Sequence, residues 1–404
     1  MLPTHGPIHI DDPNEPNEPI YKPPTITQSL NAALYSSKLN VLLIFVPFGF
    51  LAYVFKWNSA VIFILNFIAL IPLANLLGYI TEDIANWCGQ TVGGLLNATF
   101  GNAEELIIAV LALIRGEIRV VQATMIGSII SNLLLVLGSC FIAGGFRHKE
   151  QEFNRKAAQT NSGLLAIACI GLVIPAAFHF ESSSGEQNIS SNRDYSLHDQ
   201  ILNLSHGTAL VLLAIYGLFL YFQLKTHSHL YQDGDESDDP ELSFGTSLFL
   251  LAFVTLIVTL STDILIDSIE GVTDTFGLSK TFVGLILLPI VGNAAEHVSA
   301  IRVAIKNKMD LSISIAVGSS TQIALFLTPF IVILGWIIGQ PMSLLFQTFE
   351  TVVLFVSVLI TNYLIQDGKS NWLAGILLLS TYFIISLAFF FYSDAGKISG
   401  CRNV

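Results

Sequence analysis

Gly101-Asn-Ala-Glu-Glu105 and Gly292-Asn-Ala-Ala-Glu296 are two versions of one motif set 191 residues apart. The correspondence extends outward without a gap. Residues 93–130 align with 284–321, and ten of the 38 positions are identical: Gly93, Leu96, Gly101, Asn102, Ala103, Glu105, Ala109, Ile114, Gly127 and Ser128. Chance likeness between apolar stretches matches Leu and Ile; it does not keep matching Gly, Asn, Glu and Ser. An internal repeat of this kind is one structural unit used twice.

Around the motif the chain is apolar. Hydrophobic residues make up 52% of its 404 residues and charged residues 12%, with a mean hydropathy of +0.66. Soluble domains carry about 25% charged residues, so this chain lacks the polar surface to dissolve and is read as an integral membrane protein. Eleven segments approach the roughly 20 apolar residues that a bilayer core requires: 39–55, 59–80, 91–114, 120–145, 159–179, 207–224, 245–266, 281–305, 311–338, 345–366 and 372–392. Their length, and the absence of period-two alternation, argue against a barrel.

The first segment aside, five lie before the acidic stretch Asp233-Gly-Asp-Glu-Ser-Asp-Asp-Pro-Glu241 and five after it. Five is odd, so the second half enters the membrane in the opposite sense to the first. The expected fold is all-α: eleven transmembrane helices, with inverted five-helix repeats after one extra N-terminal helix. Secondary transporters use this plan and bind their substrate near the midplane between the repeats.

The flanking regions divide the chain further. Residues 1–38 hold seven of the 14 prolines and read as a disordered cytosolic arm with no cleavable signal peptide. Residues 39–224 carry the first repeat, 225–244 form an acidic cytosolic linker, 245–392 carry the second repeat, and 393–404 are a tail. Six acids crowd the linker (Asp233, Asp235, Glu236, Asp238, Asp239 and Glu241), which reads either as solvated chain or as a cation-concentrating, regulatory segment. With a cytosolic N-terminus, eleven Lys and Arg fall on the inner side and seven on the outer. The C-terminus is then lumenal, as is the loop 180–206 with its sequons at Asn188 and Asn203. The net charge of −12 offers nucleic acid no basic surface. The four cysteines have no metal or disulfide spacing and read as packing residues.

Six charged residues fall inside the segments: Glu104, Glu105, Asp263, Glu296, Arg302 and Glu350. Asp263 and Arg302 lie near segment ends, within reach of water. Glu105 and Glu296 lie near the middle, where an ionised carboxylate is costly without a partner, and no midplane Lys or Arg is available. A cation is the simplest partner. Residues three apart share a helix face, so Asn102 joins Glu105 and Asn293 joins Glu296. In the next segments Ser128 pairs with Ser131, and Ser319 with Gln322. Gly101 and Gly292 permit local unwinding, which brings backbone carbonyls to the site. Such hard oxygen ligands suit Ca²⁺, whereas Zn²⁺ or Cu⁺ would call for Cys and His clusters. His297 reads as a packing residue, with a proton-relay role open. Two neighbouring carboxylates in low dielectric cannot both stay ionised when empty. The pair therefore holds a divalent cation or protons in competition, which is the basis of exchange.

These residues resemble the paired motifs of the cation/proton exchangers (CAX) of the cation/Ca²⁺ exchanger superfamily, most closely the fungal vacuolar Ca²⁺/H⁺ exchangers. The resemblance covers the chain from about residue 39. It implies an antiporter in the vacuolar membrane that uses the lumenal acid gradient to clear cytosolic Ca²⁺. Glu105 and Glu296 would coordinate the ion and carry protons. Asn102, Asn293, Ser128, Ser319 and Gln322 would support them, with the carbonyls of the Gly101 and Gly292 turns. The acidic linker would lie near the cytosolic entrance, as would Glu82 and Asp83. One position departs from the family pattern: residue 104, usually small or apolar, is Glu here. Ca²⁺, protons and lipid are the implied partners, with no cofactor. A Na⁺-coupled exchanger of the same fold is the alternative, then a cation channel. No nucleophile with a base, aspartate pair or His cluster suggests an enzyme.

Overall fold

The computed structural model describes residues 24–184, 191–228 and 240–392. It is nearly all helix. In chain order the α-helices are α1 (Ile26–Tyr35), α2 (Phe45–Val54), α3 (Ser59–Phe100), α4 (Ala103–Ile114), α5 (Ile118–Ile130), α6 (Leu137–Gly145), α7 (Arg155–Ser184), α8 (Ser191–Tyr221), α9 (Phe244–Phe276), α10 (Lys280–Phe282), α11 (Leu288–Gly292), α12 (Ala294–Ile305), α13 (Met309–Gln322), α14 (Thr328–Ile338), α15 (Thr348–Ile365) and α16 (Trp372–Phe391). Among the described residues eight helical spans are long and apolar enough to cross a membrane, or ten if each of two bent pairs counts as one. The bent pairs are Ile26–Tyr35 with Lys38–Val54, at 96°, and Lys280–Gly292 with Ala294–Ile305, at 52°. The remaining expected segment, 91–114, is divided at Gly101-Asn102 between the end of α3 and α4.

Boundaries differ from expectation where local chemistry outweighs hydropathy. The arm expected through residue 38 is helical from Ile26, because Thr25 and Gln28 form a capping box that satisfies the first turn. The expected connection 81–90 is helical throughout. The chain still reverses there: a Cβ at Gly93 would strike the Ala85 carbonyl oxygen, although eight residues of straight helix separate atoms by about 12 Å. The expected loop 180–206 is largely absorbed by α7 and α8. Asn188 and the acids Asp233, Asp235, Glu236, Asp238 and Asp239 lie outside the described residues.

The 191-residue offset reappears in the backbone. Helices α4 and α12 are displaced by it at both ends, and α5 and α13 begin at Ile118 and Met309. The turns before them place Gly116 and Asn307 at φ 75° and 62°, a left-handed conformation that Gly, and at lower frequency Asn, adopts. Each later helix then passes through a π-helical turn, Ser131–Val136 in one copy and Ile323–Leu327 in the other.

The core holds fully buried residues such as Ile126, Ile130, Leu133, Val317 and Leu325 from the repeat helices. Outward-facing side chains including Leu218, Phe383, Ile384 and Phe391 are more than half exposed, as suits a surface that meets lipid. At one face a two-residue antiparallel pair, β1 (Gln151–Glu152) with β2 (Lys369–Ser370), joins two loops, and Lys369 bridges to Glu150 and Glu152. Gln151 donates to the Ala304 carbonyl and to Asn307, drawing in a third loop.

At the opposite face ion pairs connect the two halves. Arg115 meets Asp263 at 2.7 Å, Arg119 meets Glu350 at 2.6 Å, and Lys280 meets Glu117 at 3.1 Å. Lys280 opens α10 while Glu117 follows α4, so the start of one repeat's broken helix lies beside the end of the other's. Asp263 and Glu350 thus have partners. Glu350 is fully buried and also caps α15 by accepting from the Gln347 backbone N–H.

Candidate functional site

Both motif segments break the helix that carries them. Asn102 and Asn293 occupy the N-cap positions of α4 and α12, which places Glu104, Glu105 and Glu296 in first turns. The acids do not sit inside continuous helices as hydropathy suggested. They sit at helix N-termini, where free N–H groups and the helix dipole favour an anionic side chain. Neither Asn caps its own helix. Each amide reaches instead toward the other repeat.

Asn102 is the hub of one polar cluster. Its Nδ2 donates to Gln322 Oε1 at 2.7 Å, and its Oδ1 accepts from the Ser319 hydroxyl at 2.6 Å. Asn132 donates to the same Ser319 oxygen at 2.9 Å. The other copy is more open. Asn293 Nδ2 donates to the Ser128 carbonyl at 3.3 Å, and among the described residues the buried Asn293 Oδ1 and Ser128 hydroxyl have no hydrogen-bond partners. Ser131 is buried next to Tyr382.

The carboxylates complete the arrangement. Glu105 is 1% exposed, and its Oε1 would lie 3.1 Å from a Cβ at Gly292, so it rests on the break of the opposite repeat. Glu105 and Glu296 line the same cavity. Glu105 Oε1, Glu296 Oε2 and both oxygens of Glu104 are buried without a hydrogen-bond partner among the described residues. Oxygens left open in this way, from carboxylates, an amide and a hydroxyl, are the donors that a hard cation takes. Among the described residues no three His, Cys, Asp or Glu side chains are already gathered round one point, so a cation here would need amide, hydroxyl or backbone oxygens besides the two acids.

A cavity of about 550 Å³ leads to the carboxylates. Gly101, Glu105, Gly292 and Glu296 line it; Asn102, Asn293, Ser128, Ser319 and Gln322 do not. Ser36, Tyr79, Glu82 and Arg302 also line it. Of the two acids expected at the entrance, Glu82 lines the cavity and Asp83 does not. Asp83 is 4% exposed and accepts from the backbone N–H groups of Glu241 and Leu242 and from the Ser247 hydroxyl. Its charge anchors the end of the acidic segment and the start of α9 rather than facing the cavity. Glu241 accepts from the Tyr79 hydroxyl at 2.6 Å.

Two features escaped the sequence reading. Asn132 lies one residue past the end of the aligned Ser and Gln positions, and its polarity within an apolar segment was the available signal. The Arg119–Glu350 pair joins residues 231 apart, which spacing along one chain cannot reveal.

Comparison with known proteins finds clear relatives. The family model described as sodium/calcium exchanger protein matches residues 58–225 and 246–391. A vacuolar calcium ion transporter of Schizosaccharomyces pombe is 49% identical over 365 residues, covering 89% of this chain and 86% of the relative. A Ca²⁺/H⁺ antiporter of Aphanothece halophytica is 47% identical over 374 residues, covering 88% and 97%. The solved structure of native YfkE superposes with a TM-score of 0.74 at 37% identity, covering 88% of this chain and all of that one.

Proposed function

The chain belongs to the sodium/calcium exchanger protein family, and from that premise we propose that it is a secondary antiporter exchanging Ca²⁺ for H⁺. The observation that carries this reading is the meeting of Glu105 and Glu296 at two helix breaks, one from each repeat, with open oxygens and, among the described residues, no cationic partner. Ca²⁺ and protons compete for this pair as cargo, and no covalent chemistry or cofactor is involved. Asn293 Oδ1, the Ser128 hydroxyl and the carbonyls of the Gly101 and Gly292 turns join the two acids around the ion. Asn102, Ser319 and Gln322 hold the site from behind.

The full layout is eleven transmembrane helices, with one extra N-terminal helix before two inverted five-helix repeats. The crossing of Lys280 with Glu117 supports the inversion. So does the contact of Ser320 with the Ile129 carbonyl, because those two residues are repeat counterparts 191 apart and lie on the axis relating the copies. The N-terminus, the acidic linker and the cavity mouth face the cytosol, which makes this the inward-facing state. Relatives named as vacuolar transporters point to a vacuolar membrane, with Ca²⁺ moving into the acidic lumen.

The experiment is Ca²⁺ uptake into proteoliposomes under an acid-inside pH gradient, a Na⁺ gradient, or neither. Uptake driven by the pH gradient, with matching alkalinisation of the lumen, is expected. Dependence on Na⁺ would keep the site and replace the counter-ion. Flux that needs neither gradient would make the protein a channel.

A further inference from the structure

Glu104 has no role in the two-glutamate scheme, yet its surroundings match those of the transport acids. It is 3% exposed, it lines the cavity, and both of its oxygens lack a hydrogen-bond partner among the described residues. It stands beside Glu105 in the first turn of α4 and within electrostatic reach of Glu296. Arg302, a cation lining the same cavity, is exposed and holds no ion pair among the described residues. Glu104 thus shares the cavity with Glu105, Glu296 and the exposed Glu82, and a divalent ion neutralises only two such charges.

We propose that Glu104 is a third anionic carboxylate at the transport site, one that raises the site's preference for cations of higher charge. The proposal rests on the Glu105–Glu296 site described above and deepens it. The three acids are not gathered round one point, so Glu104 acts as a fixed charge beside the coordination sphere. The energy that such a charge contributes scales with the charge of the ion. Its removal therefore costs a factor that is squared for a divalent ion and cubed for a trivalent one. A factor of about three for a monovalent ion becomes about ten for Ca²⁺ and about thirty for Tb³⁺. A packing defect has no such graded dependence.

The test is equilibrium binding to the full-length protein in detergent, with Tb³⁺ read by luminescence and Ca²⁺ by competition. It compares the unaltered protein with Glu104→Gln, Glu104→Asp and Glu105→Gln, the last setting the baseline for Tb³⁺ held elsewhere. Glu104→Gln should lose about ten-fold in Ca²⁺ affinity and about thirty-fold for Tb³⁺, with most of both retained by Glu104→Asp. Unchanged binding by Glu104→Gln would mean that Glu104 carries no charge in the site, and would overturn the proposal. Equal loss for both ions would overturn it in favour of a packing role. If Glu105→Gln bound both ions normally, the two-glutamate site would fall and this proposal with it; that failure is told apart by lying at Glu105.

Discussion

Glu105 and Glu296 combine the features that an exchanger site requires: burial, open oxygens, and positions at helix N-termini that moderate the cost of charge without neutralising it. Glu105→Gln and Glu296→Gln remove one charge each with little change in volume. Each variant should abolish gradient-driven Ca²⁺ uptake while melting at or above the temperature of the unaltered protein, because a buried charge repulsion is relieved. Robust coupled flux in either variant would remove that residue from the mechanism. Gly292 is expected to act through Glu105. A Cβ there would stand 3.1 Å from Glu105 Oε1, and the end of a flexible side chain can move aside. Gly292→Ala should therefore leave thermal stability nearly unchanged and weaken the apparent Ca²⁺ affinity, read from the substrate dependence of uptake. Loss of stability with normal affinity would make Gly292 a packing residue.

At the scale of helices, the two Gly-Ser pairs look interchangeable in the sequence and are not. A Cβ at Gly127 would collide with the backbone carbonyl of Leu285, whereas among the described residues nothing lies within 4 Å of one at Gly318. Gly127→Ala should destabilise by about 1–3 kcal/mol, since backbone cannot give way as a side chain does. Gly318→Ala should be tolerated, with a gain of up to about 1 kcal/mol from helix propensity. Thermal melting of the two variants in detergent decides the point; equal shifts would argue against the close α5 contact. The same contrast shows what could be read in advance. Gly, Asn, Glu and Ser recurring at a fixed offset are rare inside apolar segments, so the repeat and its acids were legible without coordinates. Hydropathy averages over some twenty residues and cannot register a two-residue helix break or a reversal within continuous helix such as that between Ala85 and Gly93. The capping box at Thr25 and Gln28 was visible in the chain, but the neighbouring prolines dominated the composition of the arm. Asp83 read as an entrance acid because its backbone partners at Glu241 and Leu242 lie more than 150 residues away.

Across the whole molecule, the cavity opens at one face while Arg115–Asp263, Arg119–Glu350 and Lys280–Glu117 join the two halves at the other. Alternating access requires these contacts to part when the cavity opens toward their side. The half-exposed Arg115–Asp263 pair contributes little, as surface pairs do. Arg119–Glu350 is different, because Glu350 is fully buried and loses a charge-assisted bond when the halves separate. Removing Arg119 would strand that carboxylate at a cost of about 3–5 kcal/mol and confuse folding with conformational balance. Glu350→Gln is the cleaner change: an amide oxygen still accepts from the Gln347 N–H, and only the charge holding Arg119 is lost. It should shift the population toward the state open at the clamped face, by about 1–3 kcal/mol or roughly 5- to 150-fold. Ser299 lines the cavity and is exposed in the present state. A cysteine placed there, in a background lacking Cys88, Cys140, Cys169 and Cys401, reports accessibility to a membrane-impermeant thiol reagent added at the cavity mouth. Its labelling should slow several-fold with Glu350→Gln. Unchanged labelling, with unchanged uptake, would mean that the buried pair stabilises both states alike and that the balance between them is set elsewhere, by the Lys280–Glu117 contact or by the helix breaks themselves.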